Sequence, residues 1–388
     1  MKNKTTEPTR APAAKRGLRV LLTTSVATLA CLPAFATDYF NNHDRRKDET
    51  HYKQINLVSD IPGVAQIQDT NLVNGWGISF GPNGPIWISA NGSSNATIYA
   101  VTNDASGAPH VTRNALVVAI PGNGGVTGSV FNNTTDFNAD VFIFVSTDGT
   151  ISGWRPALGN AAEVLANRNG AIYTGITLVT NNANRFLLAA NFSEGTTDMY
   201  DSSLDLIGQF ADTHAPRGYA PYNVQNVAGT VFVTFAKQNE TKNGLLPGRG
   251  RGLIDTLNPA NGKFRRFATG KAAGGPVREM NAPWGIALAP DSFGSHADQL
   301  LVGNFGSGTI MTFDAHGRFR GLLKGTEECP VTIDGLWGLA FGAAGTAGVA
   351  TDLYFTAGPN GETHGLFGVI QKSEEADDQD HDDDDDRY

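Results

Sequence analysis

The sequence predicts an all-β fold, a six-bladed β-propeller with four-stranded blades, on three observations. A short strand of one pattern recurs six times along the 388 residues. Each copy leads into two more strand-like runs and, in every unit but the last, a third. The strand that the last unit lacks is found at the other end, at residues 52–58, where it is expected to close the ring.

The recurring strand, A, is clearest at Trp76-Gly-Ile-Ser-Phe80, Trp284-Gly-Ile-Ala-Leu288 and Trp337-Gly-Leu-Ala-Phe341. Large and tiny residues alternate with period two, the signature of a strand with one bulky face. Counted from Trp76, Thr127, Thr174, Tyr222, Trp284 and Trp337, successive copies lie 51, 47, 48, 62 and 53 residues apart. Known propeller blades repeat every ~40–50 residues. Strand B follows A, as in Ile86-Trp-Ile-Ser-Ala90 or Val231-Phe-Val-Thr-Phe235, and strand C follows B, as in Thr97-Ile-Tyr-Ala-Val101. Strand D is expected at 115–120, 162–165, 206–210, 263–267 and 318–322, with no counterpart after Ile370. Pairing residues 52–58 with the last unit removes the ring's open seam. Gly77, Gly128, Gly175, Gly285 and Gly338 occupy equivalent places, where six inner strands crowd one axis and leave no room for a side chain. The bulky face is expected to fill the space between sheets.

The ends read differently. Residues 1–36 form a signal-peptide pattern. Lys2, Lys4, Arg10, Lys15, Arg16 and Arg19 give a basic start, an apolar run follows, and Ala34-Phe35-Ala36 ends it as a cleavage site. Export to the periplasm or extracellular space is expected. Cleavage would remove Cys31 and leave Cys329, so stability is expected from a packed core rather than an internal disulfide. Residues 37–51 read as a polar linker, 52–372 as the propeller, and 373–388 as an acidic, disordered tail. The formal charge is −9, concentrated in that tail. This argues against a nucleic-acid partner, which needs a basic face. No run is long and apolar enough for a transmembrane span. A monomer binding a small molecule or protein is expected.

Loops leading into strand A and loops joining B to C share one end of a propeller. Asn74, Asn281 and Asp334 precede strand A; Asn91, Asp148, Asn191 and Asn304 follow strand B. Asn and Asp oxygens suit a hard cation. Asn74, Asn191, Asn281, Asn304 and Asp334 are therefore candidate ligands for Ca2+ or another divalent ion. The same residue types are also what turns prefer. Trp76, Trp284 and Trp337, with Asn91 and Asp148, are candidate ligand-binding residues, the tryptophans being expected mainly as core. Glu362 and His364 lie in the last B–C loop and are candidate acid and base. No nucleophile-elbow, zincin or phosphate-loop motif is present.

The W-G-I/L-A strand, together with the later Leu300-Leu-Val-Gly-Asn304 and Thr309-Ile pair, resembles six-bladed propellers of the NHL and SMP-30/gluconolactonase-like superfamily. Leu72-Val-Asn-Gly-Trp-Gly-Ile, Ala220-Pro-Tyr-Asn-Val, Thr234-Phe-Ala-Lys-Gln and Phe355-Thr-Ala-Gly-Pro-Asn-Gly-Glu-Thr-His-Gly-Leu-Phe-Gly resemble exported bacterial propellers without an assigned function. The resemblance implies the same fold over residues 52–371. In its lactonase-like branch one Glu, two Asn and one Asp hold a divalent ion. Asn191, Asn281 and Asp334 match the Asn and Asp positions; the Glu has no match, and Asn74 stands nearby. Two functions follow as expectations: a binding or scaffold module acting through the Asn/Asp-lined end of the channel, or a metal-dependent hydrolase or lyase acting there.

Overall fold

The computed structural model describes residues 49–181, 184–343 and 345–373. The leader with its cleavage site, most of the linker and the acidic tail lie outside the described residues. So does Cys31, on which the expectation about disulfides turns.

Six sheets surround one axis, each laid out from A innermost to D outermost. In the third blade, for example, Tyr173–Asn181, Asn184–Asn191, Thr196–Tyr200 and Leu206–Phe210 pair antiparallel in sequence order. The first blade departs from expectation at strand D. Its outer strand is Pro109–Arg113, and the expected stretch supplies only Val118–Ala119, which pairs with the start of strand C. Leu116, Val118 and Ile120 of the hydrophobic run at 115–120 pack instead into the core between the first and second blades.

The closing strand is Tyr52–Ser59. It pairs antiparallel with Leu366–Lys372 of the sixth blade, from Tyr52 opposite Lys372 to Ser59 opposite Leu366. Ile67–Gln68 then adds a short parallel fifth strand outside it. Asp60 finishes the closure. Its carboxylate accepts the Gly365 N–H at 2.8 Å and lies 2.8 Å from His364 Nδ1, while Ser59 Oγ donates to the Gly365 carbonyl at 2.9 Å.

Apolar burial follows the blade boundaries. Leu57, Val58, Phe367 and Val369 of the last blade pack with Ile86, Ile88, Tyr99 and Val101 of the first. The other five boundaries hold cores of the same kind. The inner-strand glycines lie where expected. A Cβ built on Gly77 would sit 2.6 Å from the Thr127 carbonyl oxygen; one on Gly128 would sit 2.7 Å from the Ile176 nitrogen.

One expectation is corrected. Trp76 does not share a face with Ile78. In all six blades the A–B register slips beside the repeated position, between Gly75 and Ile78 in the first and between Leu336 and Leu339 in the last. Such a bulge adds one residue and re-aims the side chain there. Ile78 joins the boundary core, whereas Trp76, Tyr222, Trp284 and Trp337, from four different blades, meet in a separate cluster that can lie only on the axis.

Two buried carboxylates are held by arginines. Asp255, fully buried, is bonded by Arg266, which also donates to Asp212 at 2.8 Å. Asp140, also fully buried, accepts from Arg155 at 2.9 Å. Burial pushes Asp255 up to about 7 and Asp140 up to about 6, against the pull of their arginines. Both native values exceed the unfolded one, so the native state holds extra protons between roughly pH 4 and 7. Stability from these two groups therefore grows as pH falls through that window. Glu163 is held below the usual range, its Arg155 bond first among the causes, and its contribution is lost at lower pH. Burial holds His296 below the usual imidazole range and works the other way over part of the same window, so the test is a difference: from pH 5 to pH 8 the midpoint of Asp255→Asn should fall less, or rise more, than that of the wild type. Equal pH dependence in the two would refute the assignment.

Candidate functional site

The end of the channel where A strands begin is closed by aromatic rings. Trp76 stacks on Trp337 with centroids 3.4 Å apart and planes 20° from parallel. Trp284 meets both edge-on, at 6.1 and 5.7 Å. Phe305 covers Trp337 at 4.1 Å, and Tyr222 approaches it at 5.8 Å. Such contacts stabilise by about 0.5–1.5 kcal/mol each beyond area burial. Thr127 and Thr174 fill the same position in the remaining two blades. Their small side chains leave the space that the tryptophans enter, and Trp284 Nε1 donates to the Thr174 carbonyl at 3.0 Å.

Polar contacts fix the plug to the rim. Trp337 Nε1 donates to Asn74 Oδ1 at 3.0 Å. Asn74 Nδ2 donates to Glu362 at 2.9 Å and to Asn91 at 3.3 Å. Asn74 is buried, in a left-handed conformation with φ of 50°, which Asn tolerates better than most residues. Two donors in the plug, Trp76 Nε1 and the Tyr222 hydroxyl, are buried without a protein partner. Burial, reinforced by the charge of Glu362, holds the Tyr222 hydroxyl well above its usual range.

Glu362 is half-buried beside this cluster. Burial raises its carboxyl above the usual carboxylate range, and the Asn74 bond only partly offsets that. Among the described residues no Lys, Arg or His nitrogen forms a salt bridge with it. Glu362 and His364, two residues apart, serve different partners. The chain takes positive φ at Asn360, Gly361 and Glu362, sending the carboxylate to Asn74 in the first blade, while His364 binds Asp60. No hydrogen bond joins the two side chains to each other.

The remaining candidates bond mostly within their own blades, Asn281 also reaching the fourth. Asn191 Oδ1 lies 3.4 Å from the Ile172 N–H, and its Nδ2 donates to Asp198 at 3.0 Å. Asn304 Oδ1 accepts the Asn281 N–H at 2.8 Å; Asn281 Oδ1 accepts the Gly248 N–H at 2.6 Å. Asn191 and Asn304 tie a B–C loop to the loop entering strand A of the same blade, whereas Asn281 links its loop to the B–C insertion of the fourth blade. Asp334 is exposed and accepts the Asn360 N–H at 2.8 Å. Asp148 accepts from the backbone of Asn123, Gly124 and Thr150. Burial opposes its ionisation, but those bonds and the Thr150 hydroxyl prevail and hold it below the usual range. The proposed ligand oxygens thus each face a separate N–H, and the set does not fit one hard cation. Among the described residues, no group of three or more His, Cys, Asp or Glu side chains is disposed to hold a metal. Sequence reasoning missed Asp60 and the role of Tyr222. The latter had a signal: it stands where other blades carry Trp.

No protein-family model matches the chain. Among curated proteins it is similar to three uncharacterized proteins of Acanthamoeba polyphaga mimivirus. One is 30% identical over 211 residues, covering 52% of this chain and only 38% of that relative. The others are 26% and 28% identical, over 87% and 85% of this chain and 90% and 82% of theirs. Among solved structures, a Bacteroides thetaiotaomicron protein of unknown function has a TM-score of 0.50 at 10% identity, over 84% of this chain and 76% of that one. A streptogramin B lyase structure has a TM-score of 0.46 at 12% identity, over 83% and 98%. At these identities the likeness concerns the fold alone.

Proposed function

We propose that this propeller is a binding module, exported as its leader pattern suggests, that recognises an amine- or guanidinium-bearing group at the Glu362 end of the channel. The observation that supports it most is the Glu362 carboxylate itself. It is half-buried, bonded only by a neutral amide, and adjoins an aromatic cluster. A carboxylate in that setting is under-compensated. A ligand cation would neutralise it and gain from the electron-rich ring faces. The alternative, a metal-dependent hydrolase or lyase, draws less support, because Glu362 and His364 serve different partners and the Asn/Asp oxygens share no focus.

The experiment is a titration with lysine amide, arginine amide and tetramethylammonium, followed by tryptophan emission. Saturable binding is expected, with the ligand recovered unchanged. Glu362→Gln should weaken it at least about tenfold, a loss of roughly 1.4 kcal/mol. Affinity should rise with pH as Glu362 ionises. Silence toward all three cations, or an indifferent Glu362→Gln, would reject the reading. In parallel, chelator treatment of purified protein is expected to leave the melting midpoint where it was. A chelator-induced drop would favour the metal alternative.

A further inference from the structure

The opposite mouth of the channel is open. Past the bulges the inner strands diverge around a cavity of about 380 Å3, to which all six blades contribute, with Trp284 from the aromatic plug at its inner end. That volume falls within the ~300–1,000 Å3 usual for small-molecule sites. We infer that this cavity is a second binding site, separate from the Glu362 rim, and that its ligand is a neutral saccharide.

The argument rests on the lining chemistry. No ionisable side chain lines the cavity. A charged ligand would therefore be partly desolvated without a counter-charge, which is costly. The polar lining comes from hydroxyls and amides whose hydrogen-bonding capacity is only partly used. Ser79 and Ser129 share one bond at 2.8 Å, which leaves one hydroxyl hydrogen over. Thr177 Oγ1 accepts the Asn226 N–H at 3.0 Å and keeps its own hydrogen. Gln225 Oε1 accepts from Ile286 N–H at 3.3 Å, and its amide N–H pair is left for a ligand. Asn226 Nδ2 donates to the Leu178 carbonyl at 3.2 Å, leaving Oδ1 as an acceptor. The cavity thus offers donors and acceptors side by side, with no net charge. Sugar hydroxyls are each donor and acceptor and match that mixture. Phe80 and Phe131, half-buried and also in the lining, offer apolar surface for the C–H face of a sugar ring.

Calorimetric titration of the full chain with glucose, galactose, mannose and their disaccharides tests this, with glucuronate and glucosamine as charged counterparts. Saturable heat is expected from at least one neutral sugar, with its charged counterpart at least about tenfold weaker. Ala340→Phe places a ring in the mouth from a half-exposed lining position and should abolish binding while leaving the melting midpoint within a few degrees. Should that variant not fold, Ser129→Leu occludes the same space from the second blade. The inference fails if no neutral sugar gives heat. It fails equally if charged and neutral sugars bind alike, or if a folded blocking variant binds as tightly as the wild type.

Discussion

Deleting residues 49–59 is expected to abolish the folded state at ordinary temperature, with the chain recovered as aggregate or as a species lacking a cooperative melt. The deletion removes the outer strand of the sixth blade and lays bare the ladder of Leu366–Lys372. It also removes Tyr52, Leu57 and Val58, buried to within 1%. Tyr52 stacks on Phe293 at 4.6 Å and donates its hydroxyl to the Phe293 carbonyl at 2.7 Å, so the strand also fastens blade five to blade six. Leu57 and Val58 belong to the core between blades six and one. Burial of each large side chain is worth about 1.5–3 kcal/mol. Three of them, with the ladder, approach the ~5–15 kcal/mol that holds a typical protein folded. The new edge would also invite pairing with another chain. A milder version separates closure from general damage. Leu57→Ala should cost about 2–5 kcal/mol, whereas Gln54→Ala, exposed on the same strand, should change the midpoint by less than a few tenths of that. Equal effects from the two substitutions, or a deletion that still melts cooperatively near the wild-type midpoint, would contradict closure by this strand.

Closure was legible because it rests on counting. Five units show a strand after C and the sixth does not, so the orphan strand at 52–58 has one place to go. The close approach at Gly77, Gly128 and Gly338 was legible for a similar reason: only a backbone neighbour requires the same small residue in blade after blade. The path of Trp76 was not. Period two assumes an unbroken ladder, and a single bulge reverses the face for every residue beyond it. The site was legible in its residues and opaque in its pairings. Glu362 meets Asn74 and His364 meets Asp60 across 288 and 304 residues of chain, because the ring brings its ends together. Asn191 and Asn304 illustrate the reverse. Their recurrence resembled a ligand ring, yet the repetition reflects one kind of loop-to-loop hydrogen bond used in the third blade and again in the fifth.

Gly77→Ala should destabilise by about 3 kcal/mol or more, the upper end of what an added methyl costs in a packed interior. The added carbon would sit 2.6 Å from the Thr127 carbonyl oxygen, 2.9 Å from the Ser129 nitrogen and 3.0 Å from Ser89 Oγ. Two of these are backbone atoms of the next blade, held by their own ladder, so no rotamer change can relieve the clash. Relief requires the first and second blades to move apart, and a closed ring transmits that displacement to its other boundaries. The core shared by Trp87, Val126 and Phe142 lies in that same boundary and would open with it. At ~2–4 °C per kcal/mol the midpoint should fall by roughly 6–12 °C. Gly84→Ala supplies the opposite sign. Nothing lies closer than 3.6 Å to a Cβ there and the backbone is not left-handed, so the change should stabilise by about 0.4–1 kcal/mol through the unfolded chain. Parallel melts of the two variants decide the matter. If Gly77→Ala melts at or above the wild-type midpoint, the inner strands do not crowd the axis as described, and the plug and both mouths of the channel would have to be redrawn.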